Sequence, residues 1–367
     1  MAKTLSLTSA PAATPRKTRV LEAFEAGSSG RRPCRSALAA AEGWLCLGVP
    51  VVIPTETVYG LAARALDQAA VAQIFAIKGR PHDNPLIVHV TRERHWGEVG
   101  AQLSELGLRL ARAFWPGPLT LVVETRMSLP WVTAGLDSIA LRHPAHIFAA
   151  ELIERVGPLA APSANLSGRP SPTRAAHAAE DLTGLVPLVV DGGALEHGLE
   201  STVVDVRGAL PILLRPGALS VEAIEAKAGT AIATSTSSEG ATRSPGMKYR
   251  HYSPRAELWL YRGTNASVAS RLCSDAAALR AQGRQVGAIA RYPLATDCCI
   301  SFVDERELGQ QLFAWLRELD GLGMQHVLIE GVAELGVGRA VMDRLVRAAT
   351  RVIEIDAGSE TRNKEGA

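Results

Sequence analysis

The sequence predicts an α/β protein in two units, a twisted mixed sheet flanked by helices and then a smaller open parallel sheet. Three observations predict it. Short β-branched runs alternate with helical patterns from about residue 36, residues 228–246 carry no large apolar side chain after Ile232, and a cleaner strand–helix rhythm resumes over 256–355. The 367 residues, nearly half of them hydrophobic, suffice for each unit to bury its own core.

Residues 1–35 are rich in Ala, Ser, Thr, Pro and Arg, with Glu22 and Glu25 their only acids. This composition predicts a disordered extension, with an organelle transit peptide as the alternative. The first unit is expected over 36–227. Val49–Ile53 reads as a buried strand stopped by Pro54. Residues 67–78 read as a helix, with Asp67 as N-cap, Val71, Ile74 and Phe75 on one face, and Gly79 just past its end. Leu86–Val90 reads as the next strand. Further strands are expected at 119–123, 139–142, 186–190, 202–206 and 212–214, with helices near 103–113, 147–156 and 174–183. Strands outnumber helices, so the sheet should be mixed. Residues 228–254 read as a linker. In the second unit, 255–356, strands AELWLY, VGAIA and HVLIE alternate with helical patterns at 266–282, 305–320 and 339–350. Residues 357–367 read as a tail.

A net charge of +2, with both signs spread along the chain, marks no broad nucleic-acid-binding face. Cys34, Cys46, Cys273, Cys298 and Cys299 form no Cys-x-x-Cys pair, and no zinc spacing of His and Cys is present, which fits a reducing compartment. No apolar run approaches the ~20 residues of a membrane span, and the N-terminus lacks the apolar core of a secretory signal. A cytoplasmic protein with no membrane association is expected.

The chemistry is expected in four loops. VIPTETVYGLAA, residues 52–63, carries Thr55, Glu56, Thr57 and Tyr59 past a strand end, where α/β proteins place ligands. Taken alone, hydroxyls bonding their own turn are the ordinary reading of such a Thr-rich loop. AIKGRPHDNPLIVHV, residues 76–90, weighs against that bland reading. The chain has six lysines against 33 arginines, so Lys78 suggests a task suited to a compact ammonium, such as fitting among phosphate oxygens. A solvent lysine at a helix C-terminus is its alternative. Arg80, past a glycine, can converge with Lys78 on one polyphosphate. Asn84 can read amides or ribose hydroxyls. His89 lies in an apolar strand, where a satisfied core histidine is the ordinary reading.

APSANLSGRPSPT, residues 161–173, offers Ser163, Asn165, Ser167, Ser171 and Thr173 with little bulk, suited to phosphate and sugar contacts or simply to a surface loop. GLESTVVDV, residues 198–206, places Ser201 and Thr202 at a strand start, and LLRPG places Arg215 at a strand end. ELGVGRAVMDRL, residues 334–345, has glycines before a helix but no G-x-G-x-x-G frame, and reads as a closely packed helix start rather than a second nucleotide site.

In this order, PTETVYGL, KGRP with NPL and HV, PSAN with LSG, EST with VVD, LRPG, and SPGMKYRHYSP at 244–254 resemble the YrdC/Sua5 family over residues 36–355. The last phrase and the α/β tail resemble its longer Sua5 branch. The resemblance implies a YrdC-like catalytic domain with a concave cationic cavity, and a smaller Rossmann-like C-terminal Sua5 domain. It implies synthesis of L-threonylcarbamoyl-AMP from ATP, bicarbonate and L-threonine. The product would pass to the tRNA threonylcarbamoyl-transferase machinery for t6A at position 37.

Lys78 and Arg80 are the implied catalytic cations. Arg80, Asn84, Thr120, Ser163, Asn165, Ser171 and Arg215 would contact ATP, with Lys248 and Tyr252 added from a linker acting as a lid. Thr57, His89, Arg142, Ala161 and Ser201 would surround L-threonine. Mg²⁺ is expected with ATP, held mainly by phosphates and water because no acid-rich cage of protein ligands is evident. Glu56 and His89 both stand as candidate general bases. The family's basic cavity also allows weak double-stranded RNA binding, and an RNA-binding module or a related carbamoyl-adenylate enzyme is the alternative function.

Overall fold

The computed structural model describes residues 17–26, 31–234, 252–355 and 362–365. The first unit begins with β1 (Arg19–Glu22), α1 (Arg35–Cys46), β2 (Val51–Ile53), β3 (Gly60–Arg64), α2 (Gln68–Lys78) and β4 (Ile87–His89). It continues through α3 (Glu93–Glu98), β5 (Ala101–Gln102), α4 (Glu105–Phe114), β6 (Leu119–Thr125), α5 (Pro130–Thr133), β7 (Ser138–Arg142) and α6 (Ile147–Val156). It closes with β8 (Leu159–Ala160), α7 (Ala175–Leu182), β9 (Leu188–Asp191), β10 (Thr202–Asp205), β11 (Ile212–Arg215), α8 (Val221–Ala228) and β12 (Ala233–Thr234).

These strands form one mixed sheet in the order β1-β9-β2-β3-β8-β4-β7-β6-β10-β11-β12, with β5 added on β6. β4 runs parallel to β7 and β6 parallel to β10, while β7 and β6 are antiparallel, so the expected mixed character is present. Helices α1 and α6 cover part of it, burying Leu38, Leu45, Phe148 and Leu152. Helix α2 forms as its sequence directs. The Asp67 carboxylate accepts from the Ala70 amide at 2.9 Å, and Gly79 takes the left-handed conformation, φ 59°, that ends the helix.

The second unit comprises β13 (Glu257–Gly263), α9 (Asn265–Ala281), β14 (Val286–Ala290), β15 (Cys298–Ser301), α10 (Glu305–Gly321), β16 (His326–Glu330), α11 (Gly338–Ala348), β17 (Arg351–Ile355) and β18 (Arg362–Glu365). Its sheet order is β15-β14-β16-β13-β17-β18, parallel throughout except for the last strand. This is the smaller Rossmann-like unit. It shares a core with the first unit, since Leu199 is fully buried among Tyr252, Leu312 and Phe313. Backbone meets backbone beside it, and a Cβ on Gly198 would fall 2.0 Å from the Gln310 carbonyl oxygen.

Three boundaries differ from expectation. Within the supposed disordered extension, β1 pairs in parallel with β9, and Ala23 is fully buried. Composition hid the short apolar run Val20, Leu21, Ala23 and Phe24, which finds a free sheet edge. Within the supposed linker, β12 pairs with β11, and within the supposed tail, β18 pairs with β17. Edge strands this short lack a periodicity of their own.

Candidate active site

The four loops converge on one cavity, and each of them contributes residues to its lining. In the first loop, Thr55 Oγ1 donates to the Val58 carbonyl at 2.7 Å and lies 2.9 Å from Thr57 Oγ1. The self-bonded turn therefore exists, and it presents Thr57 to the cavity.

Lys78 and Arg80 reach the cavity from either side of the Gly79 turn. Lys78 is no solvent lysine. It is 3% exposed, and its Nζ donates to the carbonyls of Ser163 at 2.5 Å and Asn165 at 2.6 Å. Arg80 donates from Nε to the Asn84 carbonyl at 3.3 Å and from Nη2 to that of Pro85 at 2.9 Å. Arg215, at the end of β11, donates to the Ser201 carbonyl at 2.9 Å and to its hydroxyl at 3.3 Å. Gly217 explains the glycine of LRPG, because a Cβ there would lie 2.3 Å from the Ser201 carbonyl carbon.

Burial pushes the Lys78 ammonium well below its ordinary range, with Arg80 adding repulsion. Burial likewise lowers Arg80, to about 10, and Arg215. Three desolvated cations on one wall favour an entering polyanion, whose charge offsets both costs.

A second group of lining residues is mixed in character. His89 and Arg142 are register partners on β4 and β7. Arg142 Nη2 lies 2.7 Å from Glu56 Oε1, both side chains out of solvent, in an ion pair without hydrogen-bond alignment. Burial raises Glu56, but the Arg142 guanidinium outweighs it and holds the carboxyl below its usual range. His89 is buried, yet its Nδ1 has no partner, so it is not a satisfied core histidine. Burial, then Arg142, lowers it to about 3, leaving a neutral imidazole at working pH. Ala161, Ser163, Asn165, Ser201 and Tyr252 also line the cavity.

Asn84, Thr120 and Ser171 stand one layer behind. The Asn84 backbone holds Arg80, Thr120 Oγ1 lies 2.8 Å from Ser201 Oγ, and Ser171 donates to Glu200 Oε1 at 2.6 Å. Of the expected lid, Lys248 lies outside the described residues. Tyr252, 5% exposed, lines the cavity and stacks on Phe313 with ring centroids 5.2 Å apart. Among the described residues, no three His, Cys, Asp or Glu side chains are grouped to hold a metal ion.

A family model described as Telomere recombination, covering Sua5, YciO and YrdC, matches residues 45–217. A second, described as Threonylcarbamoyl-AMP synthase, C-terminal domain, matches 219–350. The chain is 44% identical to the threonylcarbamoyl-AMP synthase of Pyrococcus abyssi over 86% of its own length and 95% of that protein's. It is 39% identical to the Bacillus subtilis synthase, over 82% and 89%. The crystal structure of P. abyssi Sua5 complexed with L-threonine superposes with a TM-score of 0.86 at 41% identity, over 92% of this chain and 99% of that one. The chain belongs to the YrdC/Sua5 family.

As a Sua5-type chain it contains a contact that local motifs do not announce. Glu200, in the cavity wall, receives Arg344 Nε from α11 at 3.0 Å, and Arg344 also donates to the Pro216 carbonyl at 2.7 Å. Burial raises Glu200, but Arg344 and then Arg215 hold it below its usual range. The segment 334–345 is a packed helix start, as expected, since a Cβ on Gly338 would lie 2.1 Å from the Ala333 carbonyl oxygen. Its further role, carrying Arg344, has no local signal because the partner lies 144 residues away. A parallel clamp joins Arg317 of α10 to Asp181 at 2.9 Å and to the Pro170 carbonyl at 2.7 Å.

Proposed function

We propose that this protein is an L-threonylcarbamoyladenylate synthase, using ATP, a one-carbon substrate and L-threonine, and supplying t6A modification at position 37 of tRNA. The observation that carries this reading is one cavity lined both by three buried cations, Lys78, Arg80 and Arg215, and by Thr57, His89, Arg142 and Ser201.

The threonine amine attacks the carbon substrate to give a carbamate. With bicarbonate, the departing hydroxide takes the amine proton and leaves as water; with CO₂, the proton passes to solvent. A carbamate oxygen then forms a bond to the α-phosphorus of ATP, and the bond to the bridging oxygen breaks to release pyrophosphate. Charge accumulates on phosphate oxygens throughout, which is what buried Lys78, Arg80 and Arg215 are suited to stabilise. Arg142 would receive the threonine carboxylate, because its Nη2 makes no aligned hydrogen bond in the pair with Glu56. Neither Glu56 nor His89 is poised near neutral pH, so neither is assigned as a strong base.

Magnesium would enter as MgATP, as substrate, since Glu56 and Glu200 are committed to arginines. No helix of the described residues is long and apolar enough to cross a membrane. Incubation with ATP, bicarbonate and labelled threonine tests the reading. Threonine-dependent pyrophosphate and a threonylcarbamoyl adenylate are expected; their absence would refute it.

A further inference from the structure

A second cavity lies behind the first, and the two share Thr55. Its mouth is at the surface beside Arg31, Ala194 and Glu196, and its floor is Thr55, Glu56 and His146. The floor residues are 2%, 5% and 8% exposed. Both ring nitrogens of His146 are buried without a hydrogen-bond partner, while Glu56 is held in its ion pair with Arg142. Buried polar atoms left bare at the bottom of an open cavity are where a small occupant is expected.

Gly192 keeps that floor open. A Cβ there would lie 2.6 Å from Pro54 Cβ and 3.0 Å from His146 Nε2. Phe24 and Leu195 make apolar walls, and the Phe24 and His146 rings lie 5.4 Å apart. Glu56 on the floor is balanced by Arg142 and Glu196 at the mouth by Arg31, so the cavity offers no net positive charge to draw in an anion. Burial lowers His146 to about 4, so near neutral pH its ring offers one N–H and one lone pair and no charge.

We propose that this cavity admits the one-carbon substrate, in its neutral form CO₂, to the amine of threonine bound on the far side of the Thr55–Glu56 wall. This rests on the proposed synthase activity. Three reactants must meet, and the cation-lined cavity already has two to hold. The third is small, neutral when dehydrated and able to accept an imidazole N–H, which is what the second cavity provides.

The test uses the full-length enzyme, with pyrophosphate release measured against total bicarbonate at saturating ATP and threonine. His146→Phe fills the floor, and Ala194→Trp plugs the exposed mouth at a position whose substitution leaves the core untouched. Each is expected to raise the half-saturating bicarbonate concentration roughly fivefold or more while leaving those for ATP and threonine within about twofold. Unchanged bicarbonate dependence in a folded Ala194→Trp enzyme overturns the proposal and leaves the cavity holding water only. Reactions started with dissolved CO₂ or with bicarbonate, with and without carbonic anhydrase, distinguish the source. A burst from CO₂ that carbonic anhydrase abolishes is expected, and a burst from bicarbonate instead overturns the neutral form. A wild-type enzyme without bicarbonate-dependent pyrophosphate release refutes the synthase reading itself and takes this proposal with it.

Discussion

Arg344 Nε lies 3.0 Å from Glu200 Oε2, so a helix of the second unit neutralises a carboxylate in the wall of the first unit's cavity. Neither side chain has appreciable exposure, at 0% and 7%. Without Arg344, this buried carboxylate would lose its ion-pair partner beside the expected phosphate site and keep only Ser171 and the charge of Arg215.

Arg344→Ala should therefore destabilise the protein by about 3–5 kcal/mol and weaken ATP use more than threonine use. The double variant Arg344→Met with Glu200→Gln should recover most of the stability, because no unpaired charge remains. Urea denaturation of the three proteins measures this, and equal stability of the single and double variants would contradict it.

Lys78→Ala is expected to abolish pyrophosphate release. The side chain's position adds a structural cost, since the Ser163 and Asn165 carbonyls it serves would lose a buried donor, worth about 1–3 kcal/mol. Lys78→Arg should keep the charge but not the activity, as a planar guanidinium cannot occupy the point where one ammonium meets two carbonyls. Single-turnover assays with thermal melts separate the two effects; an active Lys78→Ala enzyme refutes the assignment.

Acid should destabilise the fold before most carboxylates protonate. His89 and His146 have folded pKa values of about 3 and about 4, below the ~6.5 of an unfolded histidine. The unfolded chain therefore binds more protons between those values, and stability falls as pH drops through the window. His89 alone should cost about 2 kcal/mol between pH 6.5 and pH 5. Denaturation midpoints at pH 7 and pH 5 test this, with His89→Asn expected to flatten the dependence.

Valine should be a far poorer substrate than threonine, by roughly 10²-fold or more, because a buried hydroxyl-reading wall leaves polar groups unpaired against an isosteric methyl. Serine should lose only a methyl contact worth ~1 kcal/mol. Comparing kcat/KM for the three amino acids decides it, and equal use of valine would rule out hydroxyl recognition by this wall.

Much of the fold was legible because its signals are local. The Asp67 cap, the Gly79 turn, and strands VGAIA and HVLIE each carry their own periodicity or punctuation, and all appear where expected. Strand β1 was not legible, since four residues at a sheet edge gain their order from β9 rather than from their own pattern. At the cavity, Lys78 stood out by rarity among arginines. His89 was open to a bland reading until the structure showed its Nδ1 without a partner. Glu200 was passed over inside the EST phrase, and Arg344 and the Gly192 floor were invisible, because each depends on residues far away in sequence.

The 144-residue separation between Glu200 and Arg344 also fixes an order of events during synthesis. The stretch that carries Lys78, Arg80 and Arg215 is translated long before α11. At ~5–20 residues per second, the interval is on the order of ten seconds. Over that time Asp181 has only Arg169 of its own unit and Glu200 lacks its Arg344 ion pair, which forms when the last helices dock. Until residue 344 has been translated, the Glu200 carboxylate has only Ser171 and the charge of Arg215 from its own unit beside it.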